Sequence, residues 1–407
     1  MKETLQLSVA YSFSPGLIGK LARFPAVKEV YGKMALDVIG GGRSAYTLRP
    51  VSFGRVKSAV AEAHQAGLEF NYLLNGATLG GLEQSRAGQK KIHALLRRLQ
   101  EIKVNTLTVA SPYLLRLVKA QYPAFKIRVS AFAMVDSADK AGQWEKAGAD
   151  TICVSAIACN RDFRTLKAIR RAVSCNLELI ANAGCLLNCA QELAHMHLLT
   201  QSSTKGNSLN GFCLDHCFLH CSAARLRDPV NFIRSTWIRP EDLSVYEDLG
   251  YHHFKIVERS CPDDLLLRRV EAYALRAFNG NLLEIAGPVA QVTKAHGASF
   301  LQRLRLLAPM LRPWRSHWRT LLLMKRYAEA VMAPVYSQSA PDVRIDNSAL
   351  DGFLKGLLDK ECSGADCRAC GYCGGFAERA VTINPEYGRA TLSMASALEK
   401  DLYQGAL

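Results

Sequence analysis

The sequence predicts a (β/α)8, TIM-like barrel with a cysteine-rich insertion after its seventh strand and a helical, cysteine-rich C-terminal extension. Three observations predict it. Over roughly the first 260 residues, short β-like runs alternate with longer stretches of helical periodicity, which implies a parallel sheet. There are about eight such units, the number that closes a barrel. No glycine-rich dinucleotide fingerprint follows the first strand, which argues against an open doubly wound sheet.

The strands read in order. Leu5 to Tyr11 alternates as a first strand, and Lys28 to Gly32 as a second. Phe53 to Ala66 has helical periodicity and stops at Gly67, a residue suited to ending a helix. Leu68 to Leu74 is the third strand, Ala87 to Ile102 a basic amphipathic helix, and Val104 to Val109 the fourth strand. Pro112 fits the first turn of the following helix. Ile127–Ser130, Thr151–Val154, Leu177–Ile180 and His253–Val257 complete the set. The rhythm breaks between Gly184 and about Arg239, between strands seven and eight, at the barrel end where active sites form. A loop of that length is functional or disordered, and five cysteines argue against disorder. After about Asn281 the pattern turns helical and then cysteine-rich. The expected division is a barrel over 1–285 and an extension over 286–407.

Composition bounds the function. With 49% hydrophobic and 21% charged residues the chain has ordinary globular usage, which excludes fibrous and low-complexity classes. Its net charge of +15 suits RNA or an anionic substrate drawn by the field, and equally a generically basic protein. No apolar run is long enough to span a bilayer. The N-terminus opens into strand-like alternation without a signal-peptide core, so a cytoplasmic protein with no membrane partner is expected. In that compartment 13 cysteines, odd in number and clustered, point to metal chemistry rather than disulfides.

Two cysteine constellations stand out. Cys185 and Cys189 are followed by Cys213, Cys217 and Cys221 inside the insertion. Cys217 and Cys221 share a face if their stretch is helical. Four thiolates bind a 4Fe–4S cluster or zinc, and an active-site rim favours the cluster. Cys213 is the ambiguous member, because four of the five suffice. Cys153 and Cys175 read as small buried hydrophobes. The second constellation is Cys362, Cys367, Cys370 and Cys373, closed by Gly374-Gly375. Small, flexible residues let such a segment fold around a second iron–sulfur cluster or a zinc ion.

His195, His197, His216 and His220 lie near the first constellation and suit second-sphere or surface positions. Residues 303–326 include Arg312, Arg315 and Arg319 with Trp314, His317 and Trp318 and no acid. That pattern fits phosphate and base contacts, and equally a helix with core tryptophans and solvated arginines. Lys90, Lys91, Arg97 and Arg98 form a weaker basic face. No Ser-His-Asp order, HExxH or P-loop is visible.

Several segments resemble the collagenase-like peptidases, family thirty-two of the unclassified peptidases, over roughly residues 5–285. Phe254-Lys255-Ile256-Val257-Glu258-Arg259 resembles that family's Lys-Ile-Glu-Gly-Arg segment, with Val257-Glu258 in place of Glu-Gly. Gly40-Gly41-Gly42-Arg43 is similar to its glycine-rich segment, and Gly184-Cys185 lies where it carries a cysteine. Gly211 to Cys217 is similar to its Gly-x-Cys-x3-Cys segment. Cys185 and Cys189 stand closer than is usual in the family, and Cys221 is an additional partner. Members of the superfamily include iron–sulfur proteins of oxygen-independent ubiquinone hydroxylation and of RNA hydroxylation with prephenate as oxygen source. The resemblance implies a cysteine-ligated 4Fe–4S cluster at the barrel mouth.

The expected function is therefore an iron–sulfur hydroxylase or related oxidoreductase acting on RNA or a small aromatic or anionic substrate. Cys185, Cys189, Cys217 and Cys221 would hold the cluster, with Cys213 as substitute. Lys255, Arg259 and Arg43, near strand C-termini, would pair carboxylates of an anion such as prephenate. The alternative is an RNA-binding subunit, or the partner of a homologous subunit, with structural metal sites. A peptidase ranks third, for want of a paired nucleophile and base.

Overall fold

The computed structural model describes residues 4–207, 211, 213, 215–287, 318–332, 341–362 and 367–404. It closes eight parallel strands into a barrel: β1 (Gln6–Ala10), β2 (Val27–Gly32), β3 (Glu69–Leu74), β4 (Thr106–Val109), β5 (Lys126–Val129), β6 (Thr151–Cys153), β7 (Asn176–Ile180) and β8 (His253–Ile256). Each pairs with its sequence neighbour, and β8 returns to β1 through Leu7 opposite Phe254. The helices between them start where the sequence supplies caps. Ser52, Ser85, Ser111, Ser137 and Asp162 each accept a hydrogen bond from the backbone amide three residues on, satisfying a donor that the first turn leaves orphaned. Gly67, at φ +74°, ends the first long helix as expected.

Alternation along the strands sorts the core. Leu7, Val30, Phe70, Leu107 and Ile127 are completely or almost completely buried in one apolar cluster. Between them a polar layer crosses the lumen. Arg128 lies 2.6 Å from Glu29 and 2.9 Å from Glu178. Ser8 and Asn71 donate to Glu29 at 2.5 and 3.0 Å, and Thr108 donates to Asn71 at 2.8 Å. Lys255 stands 3.9 Å from Glu178. On the mouth side Ala10, Tyr31 and Leu73 form a small apolar layer of their own.

The insertion after β7 is structured. It carries helices Glu192–Ser203, His216–Arg227 and Val230–Ile233, and its two ends are zipped together by Ile238 N–H donating to Ala181 O and Thr236 N–H to Cys185 O. Residues beyond 340 add a feature that sequence periodicity missed. Two three-residue strands, β9 (Val343–Ile345) and β10 (Val381–Ile383), pair antiparallel. Val343, Ile345, Phe353 and Phe376 join the barrel's own apolar cluster. The helix Pro385–Tyr403 packs on both His216–Arg227 and Trp318–Met332, burying Leu219, Ala223, Tyr327, Ala395 and Leu398 together. The C-terminal residues thus brace the insertion. Among the described residues, no helix is long and apolar enough to cross a membrane.

Candidate functional site

The C-terminal mouth of the barrel is built from the loops after β2, β7 and β8 and roofed by the insertion. Gly40 lets the first of these loops approach the Glu192–Ser203 helix. A Cβ there would lie 2.3 Å from Thr200 O. Ser203 Oγ accepts from Gly41 N–H at 2.8 Å, and Ser44 Oγ donates to Gly211 O at 2.9 Å. The glycine-rich segment is therefore a seat for the insertion, by close backbone approach rather than by a special φ.

The insertion carries four thiols into one neighbourhood. Cys185 lies in the loop just beyond β7, and Cys217 and Cys221 lie one turn apart on the His216–Arg227 helix, as their spacing predicts. Cys185 feels the charges of Cys221 and Cys189, and Cys217 those of Cys189 and Cys221. Cys213 lies near enough to Cys217 for its charge to act there and has the Ser202 and Ser44 hydroxyls as hydrogen-bonding neighbours. Burial pushes the Cys185 thiol up to about 11 and that of Cys217 to about 12. Cys185 keeps open surface to water. Among the described residues, no three His, Cys, Asp or Glu side chains stand as a ready cage for a single ion.

Arginines surround this set. Arg225, 6% exposed, donates to Gly184 O, reaches Ser235 Oγ at 3.4 Å and points Nη1 at Cys221 Sγ across 3.7 Å. Arg43, whose charge Cys185 also feels, holds Glu258 through two hydrogen bonds of 3.1 and 2.9 Å. Glu258 has φ +100°, a conformation that favours glycine, at the place where the resembling family carries glycine. The ion pair helps hold this strained backbone, whose cost is about 1–3 kcal/mol.

The three cations expected at the mouth have different surroundings. Lys255 lies over the Tyr31 ring at 4.2 Å and faces Glu178; Tyr31 in turn donates to Ile256 O. Arg43 is taken up by Glu258. Arg259, 8% exposed, has no hydrogen bond and no carboxylate within 4 Å among the described residues, and burial lowers its pKa to about 10. A buried guanidinium without an acid is costly unless an anion meets it.

The histidines play no part in this set. His195 Nε2 lies 2.9 Å from Asp215, whose other oxygen caps the His216–Arg227 helix; the contact ties two insertion helices together. His197, His216 and His220 are exposed. Lys90, Lys91, Arg97 and Arg98 lie on the exposed side of the Arg86–Glu101 helix. Arg319 and Lys325 are exposed on Trp318–Met332, while Arg312, Trp314, Arg315 and His317 lie outside the described residues. Sequence reasoning missed Arg225 and the lumen charges of Glu29, Arg128 and Glu178. The available signal for Glu178 was a single charge inside an otherwise uncharged strand.

The second constellation lies against the flank of the insertion. The helix Tyr372–Ala380, which carries Cys373, packs on Val230–Ile233. Cys362 and Cys367 are the thiols whose charges Cys373 feels. Arg234 donates to Cys367 O at 2.9 Å, and Cys370 is exposed.

Comparison with known proteins adds the following. A family model described as "Peptidase family U32" matches residues 27–277. A protein of Methanocaldococcus jannaschii called "Uncharacterized protease MJ1657" is 30% identical over 250 residues, covering 61% of this chain and 72% of that one. The solved structure of the U32 peptidase Mk0906 aligns with a TM-score of 0.47 at 21% identity, covering 64% of this chain and 95% of that one.

Proposed function

The chain belongs to peptidase family U32, and from that premise we propose that it is an iron–sulfur oxidoreductase, an oxygen-independent hydroxylase of a small anionic substrate or of RNA. One observation carries the reading. Cysteines 185, 189, 217 and 221, from two separate segments, lie near enough at the C-terminal end of the barrel for their charges to act on one another, with Arg43 and Arg225 beside them. Soft thiolates select iron–sulfur clusters or zinc, and an open catalytic face favours the former. Bound there by four thiolates, a cluster would supply one-electron chemistry.

The protein groups have separable roles. Arg225 donates toward Cys221 and fixes Gly184, so it would orient the ligand loop and offset thiolate charge. Arg259 is the cation left for a substrate carboxylate or phosphate. Arg43, held by Glu258, frames the same mouth. Lys255, between Glu178 and Tyr31, would position the layer beneath. The net charge of +15 would steer either anion inward.

The peptidase reading is favoured by the names of the family and of its relative. Against it, none of these four thiols is hydrogen-bonded to a histidine among the described residues. Anaerobically purified full-length protein, reduced with dithionite, should give an electron paramagnetic resonance signal. It should not hydrolyse denatured collagen. Hydrolysis that survives removal of iron would replace this reading with the peptidase one.

A further inference from the structure

The loop after β8 places a glutamate where the backbone favours glycine. Glu258 has φ +100°, and the chain on either side of it is fixed. Asn182 grips Val257 through two hydrogen bonds, accepting from its N–H at 2.7 Å and donating to its carbonyl at 3.1 Å, and Cys261 N–H donates to Glu258 O. The side chain is held as well. Arg43 donates Nε and Nη2 to the two carboxylate oxygens at 3.1 and 2.9 Å, the paired geometry in which an arginine takes a bound carboxylate. Ser260 Oγ donates to the same group at 2.6 Å. Arg43 is fixed too. Its Nη1 donates to Gly42 O at 2.8 Å, and the next residue, Ser44, is bonded to Gly211 of the insertion. The glutamate side chain is 11% exposed and the arginine 34%, so Arg43 stays one-third open while its fork is filled.

The other cations of the mouth are matched in the same way, save one. Lys255 has Glu178, and Lys33, just past β2, has Asp37, each at 3.9 Å. Arg225 is turned to Cys221 and Gly184 O. Arg259, the next residue after Glu258 and 8% exposed, has no carboxylate within 4 Å among the described residues. We propose that Glu258 is a specificity-determining residue: its carboxylate fills in advance the place where Arg43 would take a second acid group, so the mouth accepts a small monocarboxylate and disfavours a dicarboxylate. The inference rests on the mouth being the site of a small anionic substrate, and narrows that anion to one acid group. A second carboxylate entering beside Glu258 would meet a like charge and a fork already occupied, and repulsion of that kind excludes a ligand. The unusual backbone is the means. Glycine at this place would leave Arg43 open, whereas Glu258 closes it from a loop that Asn182 holds still.

The test titrates butyrate, succinate and glutarate into the full-length wild type and Glu258→Gly by calorimetry, with iron and sulfide measured on the same samples. Glycine takes a positive φ without a clash, so the variant should fold. Wild type should bind butyrate at least as tightly as either diacid. Glu258→Gly should raise the ratio of diacid to butyrate affinity by about 10- to 100-fold, the effect of one charge-assisted paired contact. Adding Arg43→Gln should return the ratio to the wild-type value. Should Glu258→Gly fail to fold, Glu258→Gln keeps the side-chain shape and removes the charge, and the ratio should move the same way. A wild type that prefers the diacids, a ratio unchanged by the substitution, a rise that survives Arg43→Gln, or no binding of any of the three acids would overturn the inference. An unchanged ratio in protein that holds its iron counts against this inference alone. The expected ratios in protein that holds no iron count against the oxidoreductase reading alone.

Discussion

Arg128→Leu should cost the fold about 3–5 kcal/mol, because it strands two buried carboxylates in the lumen. Glu29 and Glu178 are 5% and 0% exposed, and both depend on the same guanidinium, at 2.6 and 2.9 Å. The loss should depend on pH. Burial alone would push Glu29 up; Arg128, with hydrogen bonds from Ser8 and Asn71, more than reverses that, so the folded pKa lies below the ordinary glutamate value. A depressed pKa contributes stability above the unfolded value, and that stability is lost as pH falls through the folded one. Without Arg128 the carboxyl is held neutral more easily. The gap between wild type and variant should therefore be widest near neutrality and narrow on acidification through the carboxylate range. Urea unfolding at several pH values measures it. A pH-independent difference below about 1 kcal/mol, the ordinary effect of a single substitution, would show that the layer contributes little.

Cys217→Ala should remove one cluster's worth of iron and abolish activity, since a missing thiolate opens a cluster to solvent and loss. Cys217 lies on a capped helix whose other face is packed by Leu219 and Ala223 against the C-terminal helix, so the helix should survive the change. Cys153→Ala is the control. Cys153 lies on β6, 1% exposed, with its thiol held well above the usual range by burial. Its loss should cost on the order of 1 kcal/mol of stability and no iron. Iron content and visible absorbance after anaerobic purification distinguish the two variants. Equal losses would mean that iron is not held by the mouth thiols.

The eight strands were legible because each is a short run rich in apolar residues and five of them are followed by a capped helix, information that lies within about twenty residues. The cysteine pairs were legible for the same reason, since Cys217 and Cys221 need only one helix to meet. The lumen layer was not. Glu29, Arg128 and Glu178 meet only when the barrel closes, and in the sequence they lie on three strands far apart along the chain. Arg225 was hidden likewise, because its contact with Gly184 spans 41 positions. Strands β9 and β10 are three residues each, too short for a period of two to declare itself. Glu258 shows a further limit. The departure from glycine was visible in the sequence, but its consequence, a φ of +100° secured by Arg43, needed the fold.

The central claim is that the mouth cysteines hold an iron–sulfur cluster. Its most direct test is the iron and acid-labile sulfide of the anaerobically purified full-length protein, measured beside Cys217→Ala. Iron and sulfide in near-equal amounts, with one cluster's share of both missing from Cys217→Ala, is the expected result. Zinc without sulfide in the wild type, or metal unaffected by the substitution, would contradict it.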